Sequence, residues 1–361
     1  MGQLAATLAK RGHHVDVITS TPGAVARIGD EFRVRRLDTT VLPKAHVAMS
    51  PAIVGALRRE LRRGYDVVHA HVSVVSPVGY AAAVVARLLG MPSVCTFHSV
   101  LRHKRLLLRL TNAVANLSDT AVVWTAVSEL VASQVRSALV GAEVSVLPNG
   151  IDIDFWCSGR ALSPPRQADE EVILISTMRL QSKKRPRELV AAFAQATSRA
   201  TRPVRLCVVG DGPEREALRR DIRALKLDRG IARVELMGWL PAEEVRAMYA
   251  LADGFVLASV RESFGVAALE AVVAGLPVIA MASAGCREFL VGEAGSVLCQ
   301  DDAHLSEAIT QLIAAPDSRV RTERPSSRLE RYDWPVVAED HEATYARAIN
   351  RASAVAAAVG A

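Results

Sequence analysis

"GFVLASVRESFGVAALEAVVAGLPVIAM", residues 254–281, opens and closes on short aliphatic runs, with a polar loop, an apolar stretch and a Gly-Leu-Pro turn between them. The loop and turn residues punctuate the pattern as strand, loop, helix, turn and strand. Two strands joined through a helix form a βαβ unit and run parallel. The helix is predicted to start near Phe264 or Gly265, which leaves Glu262 in the loop at the carboxyl end of a strand and Glu270 within the second helical turn.

The same alternation extends in both directions. "HVDVITS" (14–20), "FRVRRL" (32–37), "DVVHAH" (66–71), "SVCTFH" (93–98), "AVVWTAVS" (121–128) and "VSVLP" (144–148) precede it, and "VILIST" (172–177), "VRLCVVG" (204–210), "VELMG" (234–238) and "GSVLC" (295–299) share its half of the chain. Between the halves, "CSGRALSPPRQADEE" (157–171) is polar, contains proline and has no period, so it reads as a linker. The expectation is an α/β protein of two doubly wound, Rossmann-like domains facing a cleft, with ligands at the carboxyl ends of the strands. Boundaries are placed at 1–155 for the first domain, 156–170 for the linker and 171–330 for the second domain. Residues 331–361 are expected to form a helix packing back on the first domain and ending in a frayed, alanine-rich tail. The chain begins inside a helix, "MGQLAATLAKRGHHV", so a first strand and its glycine-rich loop are expected to be missing from the first domain.

Composition narrows the function. With 361 residues and 50% hydrophobic content the chain exceeds one ordinary core. The net charge of +6 is uneven, +8 over residues 1–150 and −2 over the rest, which suits an anionic partner or else a solvated basic face. Aromatic residues, 4% of the chain, are too few for base stacking, so nucleic acid is not expected. Cys95, Cys157, Cys207, Cys286 and Cys299 contain no C-x-x-C pair and mostly fall in apolar runs, which points to reduced structural thiols in the cytoplasm and to neither a metal site nor a disulfide framework. The start lacks the order of a signal peptide, and the uncharged residues 67–86 are broken by His69, His71 and Pro77, so no membrane span is expected.

The opening stretch also carries chemistry. Free amides at the start of its helix, around Gly265 and Val266, suit a phosphate. Glu262 and Glu270 would repel that phosphate unless they accept hydrogen bonds from hydroxyls, which a sugar and a ribose provide. A nucleotide sugar satisfies both conditions. The plainer alternative is a helix-capping Glu262 and a surface Glu270.

With "ESFGVAALE" (262–270) stand "KRGHHVDVIT" (10–19), "HAH" (69–71), "TFHS" (96–99), "VSEL" (127–130), "VLPNGID" (146–152), "MRLQSKKRP" (178–186), "VVGDGPE" (208–214) and "MGWLPAEEV" (237–245). In this order and over nearly the whole chain the sequence resembles the family-four retaining glycosyltransferases of GT-B fold, the group of phosphatidylinositol mannosyltransferases and phosphatidylinositol N-acetylglucosaminyltransferases. The resemblance implies a metal-independent hexosyltransferase that moves a sugar from a UDP- or GDP-sugar to a lipid-linked or glycan acceptor, with no cofactor. It implies that Glu270 holds the ribose, that Glu262 holds the donor sugar, and that Phe264, Gly265 and Val266 offer backbone amides. Arg179 and Lys184 are implied to clamp the diphosphate, and His98 to hydrogen-bond the sugar. Gly210 and Gly212 belong to a turn near the nucleotide. His69 and His71 either line the acceptor side or pack. Arg185 departs from the family pattern, which has glycine after the clamping lysine.

Two basic stretches, with Arg58, Arg59, Arg62 and Arg63 in one and Arg102, Lys104, Arg105 and Arg109 in the other, are expected either to rest on the anionic inner face of the membrane or to be ordinary solvated helix faces. Two readings stand beside the transferase: a nucleotide-sugar epimerase of GT-B fold, and a truncated relative that binds nucleotide sugar without turnover.

Overall fold

The structure, a computed structural model, describes residues 1–21, 32–37, 41–42, 47–48, 52–73, 76–101, 106, 108–109, 122–159, 170–315 and 325–360. It divides into two compact units, Met1–Gly150 with Trp334–Ala361, and Ile151–Asp333.

In the first unit, α1 (Gly2–Lys10) leads to the parallel pair β1 (Asp16–Thr19) and β2 (Arg33–Arg36), and the short antiparallel pair β3 (Val41–Leu42) and β4 (Val47–Ala48) follows. Next come α2 (Ala52–Leu61), β5 (Val68–Val72), α3 (Pro77–Leu88), β6 (Ser93–Phe97), β7 (Val122–Ala126), α4 (Glu129–Ala138) and β8 (Val144–Val146). Strands β5 to β8 form a parallel four-stranded sheet in sequence order. Every residue of β6 and β7 is buried, as parallel strands covered on both faces should be. Ser128 caps α4 by accepting a hydrogen bond from the Val131 amide.

The second unit holds α5 (Ile153–Ser158), β9 (Val172–Thr177), α6 (Pro186–Ala196), β10 (Val204–Val209), α7 (Arg215–Ala224), β11 (Ala232–Gly238) and α8 (Ala242–Leu251). Then follow β12 (Gly254–Leu257), α9 (Val266–Val273), β13 (Val278–Met281), α10 (Arg287–Leu290), β14 (Val297–Cys299), α11 (Asp302–Ala314) and α12 (Ser327–Glu330). The opening stretch thus forms β12, α9 and β13. All six strands are parallel in the order β11-β10-β9-β12-β13-β14, the doubly wound arrangement. Its core joins Leu174, Leu206 and Val256 of the sheet to Leu189, Phe193, Leu305 and Ile309 of α6 and α11.

The last helix, α13 (Trp334–Gly360), belongs to the first unit, where Ala338 packs with Leu4 and Leu8 of α1, and Ala348 with Val94 and Val123 of the sheet. Arg11 adds a two-pronged ion pair to Glu342 at 2.8 Å. The division falls after Gly150 rather than at 155, because α5 packs on α9 and Ile151 pairs with Asp333. Gly150 needs no special backbone angle. It is required for space, since a Cβ there would lie 2.5 Å from the ring of Trp334. All five cysteines are free thiols, four of them buried.

Candidate functional site

In a doubly wound sheet the ligand crevice opens where strand order reverses, outside the carboxyl ends of the two strands that flank the reversal. In the second unit these are β9 and β12. Arg179 and Lys184 follow β9, and Glu262 follows β12, so three residues implied by the resemblance come from the two loops at this switch point. Lys184 and Glu262 meet there: the lysine Nζ donates to Glu262 Oε2 at 2.5 Å, with 23% and 12% of the two side chains exposed. Arg179 is exposed, and its side chain has no ion-pair or hydrogen-bond partner among the described residues.

The two loops are fastened to each other through Ser259 Oγ, which donates to the Lys184 carbonyl at 3.2 Å, and through Arg185, which donates to the Ala258 carbonyl at 3.2 Å. Arg185 also pairs with Asp302 at 2.6 Å, with only 16% of its side chain exposed. Its backbone is left-handed, φ 58°, a conformation that favours glycine. The departure from the family's glycine therefore keeps the backbone turn and adds a latch.

Gly210 and Gly212 take part through packing. A Cβ on Gly210 would stand 1.9 Å from the Met178 carbonyl oxygen, and one on Gly212 would stand 2.4 Å from that of Leu180. The β10 turn thus lies directly against the β9 loop and sets its path.

Gly265 precedes α9 at φ 92°, where a Cβ would meet Cys286 Cβ at 2.9 Å and Glu262 Cγ at 3.3 Å. This conformation turns the chain sharply, so that the first amides of the helix, which have no acceptor within it, follow directly on Glu262. Phe264 is buried against the rings of Phe289 and Tyr332 at 5.5 and 5.7 Å. Its side chain is core, which leaves only its backbone for a ligand. Glu270 lies one turn into the helix. Burial pushes its carboxyl up to about 8, and its negative charge would act on Tyr249, whose hydroxyl reaches Thr177 Oγ1 at the end of β9 at 3.1 Å. Thr177 and Tyr249 carried no signal in the sequence, because only the sheet order brings α8 and β9 beside α9.

In the first unit, His98 stands one residue past β6, its amide donating to the Val72 carbonyl at 2.8 Å. His71 Nδ1 lies 2.8 Å from His98 Nε2, and the His69 ring stacks on His71 at 4.1 Å. His69 Nδ1 meets Tyr345 Oη at 2.9 Å, and its Nε2 meets Thr96 Oγ1 at 2.6 Å. Burial and neighbouring imidazoles depress all three histidines, His69 and His71 well below the ordinary value and His98 to about 4. The sequence brought out the three histidines one by one. It did not show Tyr345 or His341, which α13 carries in from the far end of the chain.

Helix α2 turns Ile53, Leu57 and Leu61 into the core and exposes Arg58 and Arg59, and Arg62 and Arg63 in the turn after it are exposed too. Its apolar face is occupied, so the helix has none to insert into a bilayer. Arg109 donates to the Ser137 carbonyl at 2.8 Å. Arg102, Lys104 and Arg105 lie outside the described residues. Among the described residues no helix is long and apolar enough to cross a membrane, and no group of three or more His, Cys, Asp or Glu is placed to hold a metal ion.

Residues 1–155 match the family model described as Glycosyltransferase Family 4, and residues 162–326 the one described as Glycosyl transferases group 1. The chain is similar to the D-inositol 3-phosphate glycosyltransferase of Xylanimonas cellulosilytica, at 28% identity over 97% of this chain and 91% of the relative. It is also similar to the glycogen synthase of Mycobacterium tuberculosis, at 29% identity over 76% and 66%. Among solved structures, the sucrose-phosphate synthase of Thermosynechococcus elongatus superposes with a TM-score of 0.73 at 22% identity, covering 96% of this chain and 91% of that one. Anabaena HepE in complex with UDP and glucose gives 0.66 at 20%, covering 87% and 86%. These are structural neighbours of GT-B fold, and two Rossmann-like domains account for the likeness.

Proposed function

From the premise that this chain is a glycosyltransferase of GT-B type, with a Family 4 domain followed by a group 1 domain, we propose that it transfers a hexosyl unit, with retention, from a nucleoside diphosphate sugar to a phosphorylated, lipid-linked or glycan acceptor. The observation that carries this reading is the pairing of Lys184 with Glu262 at the β9–β12 switch point. A cation and a hydroxyl acceptor stand side by side there, as a bond between phosphate and sugar requires.

In this reading the diphosphate takes Lys184 and Arg179 as its counter-charges. The donor sugar gives its hydroxyls to Glu262, and the ribose gives its own to Glu270. The Gly265 and Val266 amides face the phosphates, and His98 hydrogen-bonds the sugar. As the bond from the anomeric carbon to the diphosphate oxygen breaks, negative charge grows on the departing nucleotide, and two fixed cations stabilise it without a metal ion. The acceptor oxygen bonds to the anomeric carbon on the same face, and its proton passes to the departing phosphate. A double-displacement pair of carboxylates on opposite sides of the sugar is not what Glu262 and Glu270 provide, since both belong to one loop and helix. UDP is the first base to test, because the HepE neighbour is solved with UDP and glucose. A phosphorylated polyol acceptor, as in the name of the actinobacterial relatives, suits the +8 charge of residues 1–150. The exposed arginines of α2 are proposed to hold the enzyme on an anionic cytoplasmic membrane face by charge alone.

Thermal denaturation with UDP, GDP, ADP and their common sugars tests the donor. A cognate nucleotide at about 100 times its Kd adds roughly 2.7 kcal/mol, and the same sugar nucleotide, given inositol phosphate, is consumed with release of the free diphosphate. The absence of a shift with every nucleotide would overturn the proposal.

A further inference from the structure

We propose that His71 is a positioning residue for His98: by engaging His98 Nε2 it fixes the ring and leaves Nδ1 as the nitrogen presented to substrate. The inference rests on the transferase reading for what His98 meets, and on the geometry of the first unit for how His98 is held.

The holding begins in the backbone. Strands β5 and β6 are in register with His71 opposite Thr96 and Val72 opposite Phe97, and the His98 amide extends that ladder by one bond. His71 and His98 therefore leave adjacent strands at the same edge, with ring centres 5.0 Å apart and Nδ1 to Nε2 at 2.8 Å. His98 Nδ1 has no partner among the described residues.

Behind this pair runs a chain of hydrogen bonds. Thr125 Oγ1 lies 2.5 Å from Thr96 Oγ1 and 3.5 Å from the Cys95 carbonyl. Thr96 Oγ1 in turn meets His69 Nε2 at 2.6 Å, and His69 Nδ1 meets the Tyr345 hydroxyl at 2.9 Å. Both nitrogens of His69 are engaged, so the ring is held in place whichever of them carries the proton. Its face, stacked on His71 at 27° between planes, is a fixed platform. Tyr345 comes from α13, so the C-terminal helix backs a residue at the far edge of the sheet. The buried imidazoles resist a second proton, with His98 held near 4, so at neutral pH the pair shares one N–H···N bond.

A side chain that merely packs would tolerate Phe or Ala with its loss appearing in stability. A positioning residue predicts more. His71→Ala should lower kcat about 10- to 100-fold, the cost of small misplacements at a reacting centre, while the affinity for UDP stays unchanged. His71→Asn, whose amide reaches the place of Nδ1, should recover most of the loss, and His71→Gln, whose amide reaches the place of Nε2, should not. The double variant His71→Ala/His98→Ala should be no slower than His98→Ala alone. Independently of turnover, the 15N shifts of the His98 ring should change in His71→Ala and return in His71→Asn. A kcat within about twofold of wild type in His71→Ala, fully multiplicative losses, or an unchanged His98 spectrum would each overturn the proposal. If the wild-type chain turns over no donor, the transferase reading fails, and the spectra still decide whether His71 holds His98.

Discussion

If Glu270 holds the ribose as proposed, nucleotide binding is a proton-linked event. Burial pushes its carboxyl up to about 8, so in the empty protein at pH 6 only ~1% is ionised, and at pH 8 about half. Ribose hydroxyls donate hydrogen bonds, and the ionised form accepts them more strongly. If binding selects that form, affinity should rise about 50-fold between pH 6 and 8 and level off above, with close to one proton released per nucleotide bound at pH 6.5. The stability of the empty protein should move the opposite way. A carboxyl whose folded value is raised is destabilising once the unfolded chain ionises, so stability is lost as pH climbs from 4.5 through 8. Glu270→Gln should remove both slopes and weaken binding at pH 8 by roughly 1.5–3 kcal/mol, the worth of hydrogen bonds to a charged group. Calorimetric titration of UDP in buffers of different ionisation enthalpy, on wild type and variant side by side, separates this proton from those of the phosphates. Equal pH slopes in the two proteins would refute the reasoning, as would an affinity in Glu270→Gln equal to that of wild type at pH 8.

Two further outcomes follow from the structure. Arg185 sits at φ 58° and also latches Ala258 and Asp302. Arg185→Ala keeps the strain and loses the latch, whereas Arg185→Gly loses both, so the glycine variant should be the more stable of the two by about 1 kcal/mol. Both should melt below wild type in calorimetry, and an alanine variant at least as stable as the glycine one would contradict the strain. Vesicles containing acidic lipid should sediment the protein at moderate salt. Replacing Arg58, Arg59, Arg62 and Arg63 by Gln should abolish this at ~1 kcal/mol per cation; binding that survives high salt would mean that apolar insertion, not charge, holds the chain.

The parts of this protein legible in the sequence are those fixed by local pattern. The run 254–281 announced a βαβ unit because strands buried on both faces must be continuously apolar, and β12 and β13 are buried at every residue. Gly265 was legible as the start of a helix, which it enters from a left-handed conformation. The reason for Gly150 is not legible, because a tight turn and a close aromatic ring both demand glycine and only the fold distinguishes them. Which unit α5 joins is not legible for a similar reason: α5 reads the same in either, and its packing on α9 decides.

What could not be read is what sheet order and the returning helix create. Nothing local joins Lys184 to Glu262, 78 residues apart, until β9 and β12 lie side by side at the reversal of strand order. His69 and Tyr345 are separated by 276 residues. The spacing of His341 and Tyr345, four residues apart on one helix face, was the only trace that α13 presents polar groups inward, and four-residue spacings of polar residues are common on solvated helices. The difference lies in burial. A polar pair facing water needs no partner, whereas Thr96 and Thr125 are buried, His69 and Tyr345 are half-buried, and the four satisfy one another. That requirement couples the last helix to the edge of the sheet where His98 stands, so Tyr345→Phe, which keeps the ring and removes the hydroxyl that meets His69 Nδ1, should free the His69 ring to turn. Loosening of His98 in that variant, read in the same 15N spectra, would show the disturbance propagating through His71; an unchanged His98 would show that the platform holds by stacking alone.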